Sequence, residues 1–338
     1  MSTTSQLTDF SDLFTDLQNR VRVTTGVTAT ETQAKRYINI GLQDMHLGME
    51  YRYPWAERRA VLRTQDDYST GTITATQGST AITGSGTLWN TANSFGVNNV
   101  RATGKFLIGG GTTPYGISSI TNDTAAVLTD RFVESTVTAG TYVYYEDEYD
   151  LASDFLRPVD AQRFSDEVAI DIISRTEFRR RYPSNITRGR PAVATILDFA
   201  PSGNTTPIRR VKLSPAPDSF ILIPYTYITS NLAISSAGVA ATNLSANTDE
   251  PIVPLRYRHA LVFHALQHWY RDKKDDDRAV AAKAEYVDIM TRIMSDSEIG
   301  APRPQIRPRI GGYVRSAKSP YSGGRGRFDM GKWDNMGE

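Results

Sequence analysis

The chain has 338 residues, of which 39% are hydrophobic and 10% aromatic, so it can bury a core and is long enough for two or three modules. Its 38 basic and 37 acidic side chains give a net charge of +1, so no overall field draws it to nucleic acid or to an anionic membrane. The absence of cysteine excludes disulfides, thiolate catalysis and cysteine-based metal sites.

No segment has the pattern of a secretory signal, and no apolar run approaches the roughly 18 residues of a membrane span. We therefore expect synthesis in the cytoplasm and no association with a membrane.

The first 55 residues predict two amphipathic helices. Residues 9–22 carry apolar side chains at helical spacing after Thr8, the expected N-cap. A capping-box pattern at residues 28–31 begins a second helix of about six turns, which we expect to end at 53–55. The apolar positions are Phe10, Leu13, Phe14, Leu17 and Val21 in the first helix, and Ala34, Tyr37, Ile38, Leu42, Met45 and Met49 in the second.

Residues 57–65 look extended and lead into a β-type insert at 66–150. Its opening run, residues 71–89, alternates apolar residues with threonine and is interrupted by Gly- and Ser-containing turns, a period of two. Further strands are predicted at 105–108, 116–120, 125–128 and 140–145. About six short strands favour a small barrel or sandwich.

After the insert, residues 174–183 predict a short helix that ends at a proline. Three strands at 191–199, 208–213 and 220–228 would form a second β element, and Pro224 favours an edge position for the last of them. Residues 230–249 are poor in hydrophobic side chains, which predicts a flexible loop or an extended arm ordered by a neighbour.

Two closing helices are predicted at 255–271 and 277–297, joined by a short charged turn. Their apolar positions are Leu261, Ala265, Leu266 and Trp269 in the first helix, and Val280, Ala284, Val287, Met290 and Met294 in the second. So short a connection gives an antiparallel hairpin, which we expect to pack on the first two helices as a four-helix core.

The predicted fold class is therefore α+β: a helical bundle body with an inserted small β-barrel or sandwich, a second short β element and an extended C-terminal arm. Residues 1–65 and 151–299 would form the body, 66–150 the inserted domain and 300–338 the arm.

The arm is rich in glycine, proline and arginine and carries eight basic against three acidic side chains, a net charge of +5. Its interleaved aromatic side chains distinguish it from a purely solubilising tail, the alternative interpretation, because aromatics anchor well in the pockets of a partner. The predicted partner-binding residues are Arg303, Arg307, Arg309, Tyr313, Arg315, Lys318, Tyr321, Arg325, Arg327, Phe328, Lys332 and Trp333.

We predict no catalytic, cofactor or metal site. His264 and His268 have the i, i+4 spacing of metal ligands, but Ala265 stands where a zinc protease has its glutamate, so packing histidines are favoured. The acidic run at 146–150 suggests either a glycosidase carboxylate pair or, preferably, a solvated acidic edge. The arginines at 179–181 and 209–210 fit phosphate contacts and plain surface charge equally well.

The arrangement resembles the head-to-tail adaptor proteins of tailed bacteriophages, also called connector or head-completion proteins. Four segments carry the resemblance: the helix at 28–51 with its Tyr-Pro-Trp end, the insert at 71–89 with its return through 142–155, the element at 175–191, and the closing helical hairpin.

The resemblance implies a structural virion protein at the neck, forming a homo-oligomeric ring, usually of twelve subunits. Such a ring joins the capsid portal to the tail, lines the DNA passage with transient non-specific contacts, and is anchored to the portal by the C-terminal arm. Tail-tube, nozzle or fibre proteins would dock on its other face.

The alternative function is a receptor- or carbohydrate-binding tail protein that uses the β insert. That class needs exposed aromatic platforms, for which Trp89, Phe95 and Tyr115 are the candidates, although all three are equally suited to a barrel core. A virion hydrolase is the weakest interpretation, since its acidic residues form no constellation.

Overall fold

The computed structural model describes residues 6–24, 26–47, 53–197 and 208–298. Its helices are α1 (Phe10–Arg20), α2 (Thr28–Leu47), α3 (Arg175–Arg181), α4 (His259–Asp272) and α5 (Asp276–Glu298), with 3-10 turns at Pro54–Ala56 and Leu255–Tyr257. Together with four antiparallel or mixed sheets these elements make an α+β protein, as predicted.

The strands, in chain order, are β1 (Glu57–Arg63), β2 (Thr72–Ala75), β3 (Ala81–Ser85), β4 (Lys105–Ile108), β5 (Tyr115–Asn122), β6 (Ala125–Leu128), β7 (Val137–Gly140), β8 (Tyr142–Tyr145), β9 (Glu148–Asp150), β10 (Phe155–Pro158), β11 (Arg163–Ser165), β12 (Ile170–Ile172), β13 (Val193–Leu197), β14 (Arg210–Ser214), β15 (Leu222–Thr229), β16 (Ala233–Ile234), β17 (Ala240–Ala241) and β18 (Glu250–Pro251).

Helix α4 contacts α1, α2 and α5, so the first and last helices of the described chain share one apolar core. Two predicted helix starts are wrong by one residue. The side chain of Asp9, not Thr8, caps α1 by accepting from the amide of Asp12 at 3.0 Å. At α2 the carbonyl of Val27 accepts from the amide of Glu31 at 3.0 Å, which places Thr28 inside the helix instead of at its cap.

The buried face of α5 differs from the predicted one. Of the predicted positions, Met290 is buried, whereas Val280 is 67% and Val287 49% exposed. The other buried positions, Ala279, Ala282, Ile289 and Ile293, were not predicted. The helix thus has two apolar stripes. The stripe that packs towards α4 contains the larger side chains of its C-terminal half, Ile289, Met290 and Ile293, and the stripe with Val280 and Val287 faces away. The latter stripe leaves an apolar face on the surface.

The predicted flexible segment at 230–249 is folded within the chain. It contributes to a small sheet in the order β17-β16-β18, and its carbonyls accept from the N-terminus of α1: Phe10 donates to Asp249 at 2.8 Å and Ser11 to Asn247 at 3.0 Å. The side chain of Asn39 on α2 donates to the carbonyl of Leu244 and accepts from its amide, at 2.9 and 3.0 Å. These contacts within the chain supply the order that we expected from a neighbour.

Strands β2–β8 form one curled antiparallel sheet, a half-barrel, in the order β7-β2-β3-β6-β5-β4-β8. Its two edge strands, β7 and β8, are separated only by Thr141. The sequence predicted one strand at 140–145, which corresponds to β8, and missed β7. Trp89 is fully buried in its core and donates to the hydroxyl of Tyr142 at 3.0 Å.

A third apolar core lies between a three-stranded sheet, β1-β15-β10, and a five-stranded sheet, β11-β12-β13-β14-β9. Two of the three predicted strands, β13 and β14, pair with each other, but β15 lies in the other sheet, so the single second β element is wrong. The edge position predicted from Pro224 is wrong as well, because β15 is central. The proline is tolerated because β10 pairs only with residues 227–229, beyond it.

None of the described helices is long and apolar enough to cross a membrane.

Candidate functional site

The polar centre of the described protein lies where the half-barrel meets the five-stranded sheet. Glu146 and Asp147 are the two residues between β8 of the first sheet and β9 of the second, and both side chains are almost wholly buried. The chain enters the half-barrel near residue 66 and leaves it at residues 146 and 147. Contacts that hold Glu146 and Asp147 in place therefore determine how the two sheets are connected.

Asp147 binds groups from both sides of the link. Lys105 on β4 donates to its two carboxylate oxygens at 2.7 and 2.8 Å, and Lys212 on β14 lies 3.2 Å from Oδ2. Asn185, in the segment after α3, donates to Oδ2 at 2.9 Å and to the carbonyl of Leu213 at 2.8 Å. One carboxylate therefore ties three elements together.

Burial opposes ionisation of Asp147, but the ammonium groups of Lys105 and Lys212, with hydrogen bonds from Lys105 and Asn185, hold its pKa below the ordinary value. The carboxylate is charged at neutral pH, and its charge is what makes the link an ionic one.

Glu146 has its own set of donors on the side of the half-barrel. Arg101 donates from Nε at 2.8 Å and from a terminal nitrogen, and the hydroxyls of Tyr144 and Thr103 also donate to it. Burial and the neighbouring carboxylate raise the pKa of Tyr144 well above its ordinary value, so this hydroxyl stays a donor.

The solvated acidic edge predicted at 146–150 is thus wrong for its first two residues. Their partners, Arg101, Lys105 and Lys212, lie between 42 and 65 positions away in the sequence, where spacing gives no signal. Asp150 does stand at the surface, 50% exposed and paired with Arg210 at 2.6 Å. The oxygens of Glu146 and Asp147 are held by Arg101, Lys105 and Lys212, and we call these five residues the ionic lock.

A second polar cluster lies between two helices. The structure brings Asp44 on α2 to His264 and His268 on α4, with their ligand atoms all within 4.8 Å of one another. Oδ2 of Asp44 is 3.4 Å from Nε2 of His264. The two histidines were singled out by their spacing, whereas Asp44, 220 positions before His264, was not identified.

Other polar residues, at 179–181 and at the start of α5, lie at the surface or act locally. Asp275 accepts from the amide of Arg278 at 3.3 Å at the start of α5. Arg181 pairs with Glu177 at 2.5 Å, and Arg179 and Arg180 are exposed at the end of α3. The predicted partner-binding residues of the arm, 303–333, lie outside the described residues.

In the described part of the chain, both polar clusters connect separate secondary-structure elements. A comparison with protein families matches residues 116–308 to the SU10 adaptor protein family, more than half of the chain. The chain belongs to this family, and the resemblance to phage head-to-tail adaptors is confirmed. No curated protein matches the chain.

Membership assigns the protein a structural role as a phage adaptor and, with it, partners among head and tail components at the neck of the virion.

Proposed function

We propose that this adaptor forms a ring that joins the capsid portal to the tail, with the genome passing through its centre. The family match carries the proposal, because it extends from β5 through the later strands β6–β18 and the closing helices to the first residues of the arm. The ring would sit at the neck, would be assembled from chains made in the host cytoplasm, and would touch DNA only transiently and without sequence preference.

Within each subunit we assign residues 1–65 and 151–299 to a helical bundle body, 66–150 to an inserted domain and 300–338 to an arm. The shared core of α1, α2, α4 and α5 supports the body, and the separate core of the half-barrel around Trp89 supports the inserted domain. The ionic lock at Asp147 would then set the direction in which the inserted domain projects, towards tail-tube, nozzle or fibre proteins.

Contacts between subunits of a cyclic ring are head-to-tail, so each subunit needs two different complementary surfaces. The exposed apolar stripe of α5, with Val280 and Val287, is a candidate for one of them, because burying it between copies would remove apolar area from water. We expect twelve copies, the number usual in phage adaptors.

The arm would anchor the ring to the portal. Its net charge of +5 favours an acidic groove, and its four aromatic side chains favour pockets within that groove. An arm that becomes ordered on docking loses its conformational entropy at that step, so binding is favoured only where the complete groove is present.

The alternative, a carbohydrate- or receptor-binding tail protein, has weak support in the described residues. Of its three candidate aromatics, Trp89 and Tyr115 are 0% and 4% exposed and cannot form a platform. Phe95 is 48% exposed, but one of its faces stacks on Phe220 with ring centres 4.0 Å apart, which leaves a single ring face for a sugar.

The test is the mass of the purified chain alone and after mixing with portal rings, by native mass spectrometry. We expect many copies to join each portal ring. A stable trimer that ignores the portal would contradict the proposal and favour the receptor-binding class.

A chain truncated after Gly300 isolates the role of the arm. It should keep the circular-dichroism spectrum and unfolding midpoint of the full chain and fail to join the portal. Two matched full-length variants separate the contributions: one replaces Arg303, Arg307 and Arg309 by glutamine, the other replaces Tyr313, Tyr321, Phe328 and Trp333 by serine. Portal binding that survives truncation would refute the anchoring role and leave the ring itself to be judged by mass.

A further inference from the structure

The cluster of Asp44, His264 and His268 has the composition and spacing of a metal site. Two imidazoles four residues apart on α4 lie on one face of the helix, with ring centres 4.9 Å apart, and α2 brings a carboxylate to them. Nitrogen and oxygen atoms bound to one zinc ion are about 3 Å apart, so donors within 4.8 Å reach a common ion through small rotations of Asp44 and His268, which are less buried than His264.

His264 is held firmly in place. It is only 7% exposed, and the ring of Tyr286 on α5 packs against it edge to face at 4.9 Å. Gly41, in the middle of α2, lies directly against it, and a Cβ there would come within 3.0 Å of Nδ1. Glycine inside a helix costs about 1 kcal/mol relative to alanine, so α2 forgoes stability at the position that makes room for this imidazole.

The two ring nitrogens of His264 have different surroundings. Nδ1 makes no hydrogen bond within the described protein, whereas Nε2 lies 3.4 Å from Oδ2 of Asp44. The carboxylate can accept a proton from Nε2, and a bound cation would replace that proton between the two atoms.

We propose that Asp44, His264 and His268 bind one divalent transition-metal ion of the zinc class, with a fourth position left for water. Two nitrogen donors and one carboxylate oxygen favour Zn²⁺, Co²⁺ or Ni²⁺ over Ca²⁺ and Mg²⁺, which prefer all-oxygen sites. The ion would join α2 to α4 across the helical core, independently of ring formation.

The affinity should be moderate. The imidazole of His264 has no acceptor for its Nδ1 hydrogen in the described protein, and ligands without such support bind metal ten- to a hundredfold more weakly. The positive charge of Arg271, which acts on both imidazoles, also disfavours the ion. We expect dissociation constants in the micromolar range.

The test uses the full chain, purified without a histidine tag and stripped with a chelator, titrated with Co²⁺ and Zn²⁺. We expect one ion per chain, visible absorption of bound Co²⁺, and an unfolding temperature that rises with Zn²⁺. Asp44→Asn and His268→Gln, both at the exposed edge of the cluster, should weaken binding at least tenfold with an unchanged circular-dichroism spectrum.

His259→Asn is the matched control, because His259 lies on the same helix and outside the cluster. It should bind as the parent does. Absence of cobalt absorption and of a thermal shift at 1 mM metal, a concentration on the order of a thousand times a micromolar dissociation constant, would overturn the proposal. So would binding retained by Asp44→Asn and His268→Gln, because the ion would then sit elsewhere.

Discussion

Replacing Asp147 by alanine should destabilise the protein more than any other single change of a charged residue in the ionic lock. The substitution removes the acceptor of two hydrogen bonds from Lys105 and one from Asn185, and the counter-charge 3.2 Å from Lys212. Lys212 keeps Glu148 at 2.8 Å, but Lys105 is left beside another ammonium group with no ion-pair partner among the described residues.

Breaking one partner out of a buried ion pair costs about 3–5 kcal/mol, because the remaining charge stays desolvated. The side chains of Lys105 and Lys212 are 19% and 20% exposed, so water reaches part of each ammonium group. We therefore expect a loss of about 3 kcal/mol, near the lower end of that range.

The assay is urea unfolding at pH 7, followed by circular dichroism and by tryptophan fluorescence. Asp150→Ala is the matched control: Asp150 also belongs to an ion pair with a strand residue, yet it is 50% exposed, so its removal should cost less than about 1 kcal/mol. Equal losses for the two variants would refute the reasoning that burial makes the pair at Asp147 strong.

The pH dependence gives a second check on the same residue. Because the folded-state pKa of Asp147 lies below its ordinary value of 3.8, its contribution is complete above pH 3.8 and is lost as the pH falls through the lower folded-state value. Asp147→Asn should accordingly show a flatter stability curve below pH 4 than the parent protein.

Three further predictions concern single side chains. Burial lowers the pKa of His46 to about 4; in the neutral ring Nδ1 faces the carbonyl of Leu42 and Nε2 accepts from Trp55. Because the unfolded chain takes up this proton below pH 6.5 and the folded chain does not, the free energy of unfolding should fall by up to about 1.4 kcal/mol for each pH unit as the pH is lowered from 6.5 to 4. Urea unfolding at several pH values should show a smaller slope for His46→Gln. Trp89→Ala should cost about 3–5 kcal/mol by emptying the core of the half-barrel, whereas Trp89→Phe, which mainly loses the hydrogen bond to Tyr142, should cost about 1–2 kcal/mol; circular dichroism during urea unfolding compares the two, and equal losses would contradict the packing argument. Gly104→Ala would bring a Cβ into a clash with the edge of the Tyr144 ring and should cost about 1–3 kcal/mol. Gly116→Ala should cost less, because its Cβ meets the Thr129 side chain at 3.2 Å or more; a comparison of unfolding midpoints decides.

The long periodic elements could be predicted from the sequence. Both N-terminal helices, the closing hairpin, and strands such as β4 and β6 have the predicted positions, because a repeated apolar spacing over several residues determines them locally. The strands β9 to β12, three or four residues long, were missed. The equally short β4 and β6 are marked by neighbouring turn residues, at 109–111 and 121–123, whereas residues 146–173 contain no glycine or asparagine to separate one strand from the next.

What could not be predicted depends on contacts between distant residues. Val287, which was predicted to be buried, and Ile289, which was not, are equally plausible core residues of an amphipathic helix, and only the position of α4 decides between them. Likewise, the run at 146–150 looks like exposed charge until β4 and β14 bring their lysines to it. The sequence contains the donors and acceptors of each polar cluster but not their proximity.

The ionic lock has a consequence for the proposed ring. A domain inserted through two short links would be free to tilt. The inserts of different subunits would then differ in orientation, and a tail protein would not meet the same surface on every subunit. The carboxylate of Asp147 restricts that motion, because it binds cations from both sheets at one of the two links. It also fixes the orientation of the link, since Lys105 and Asn185 donate to it from different directions. The buried ion pair would then serve orientation more than stability. A variant that replaces Asp147 and Lys105 by apolar residues should keep its stability, but its inserts should project from the ring less uniformly. Small-angle scattering of the ring would then detect a change that unfolding experiments do not.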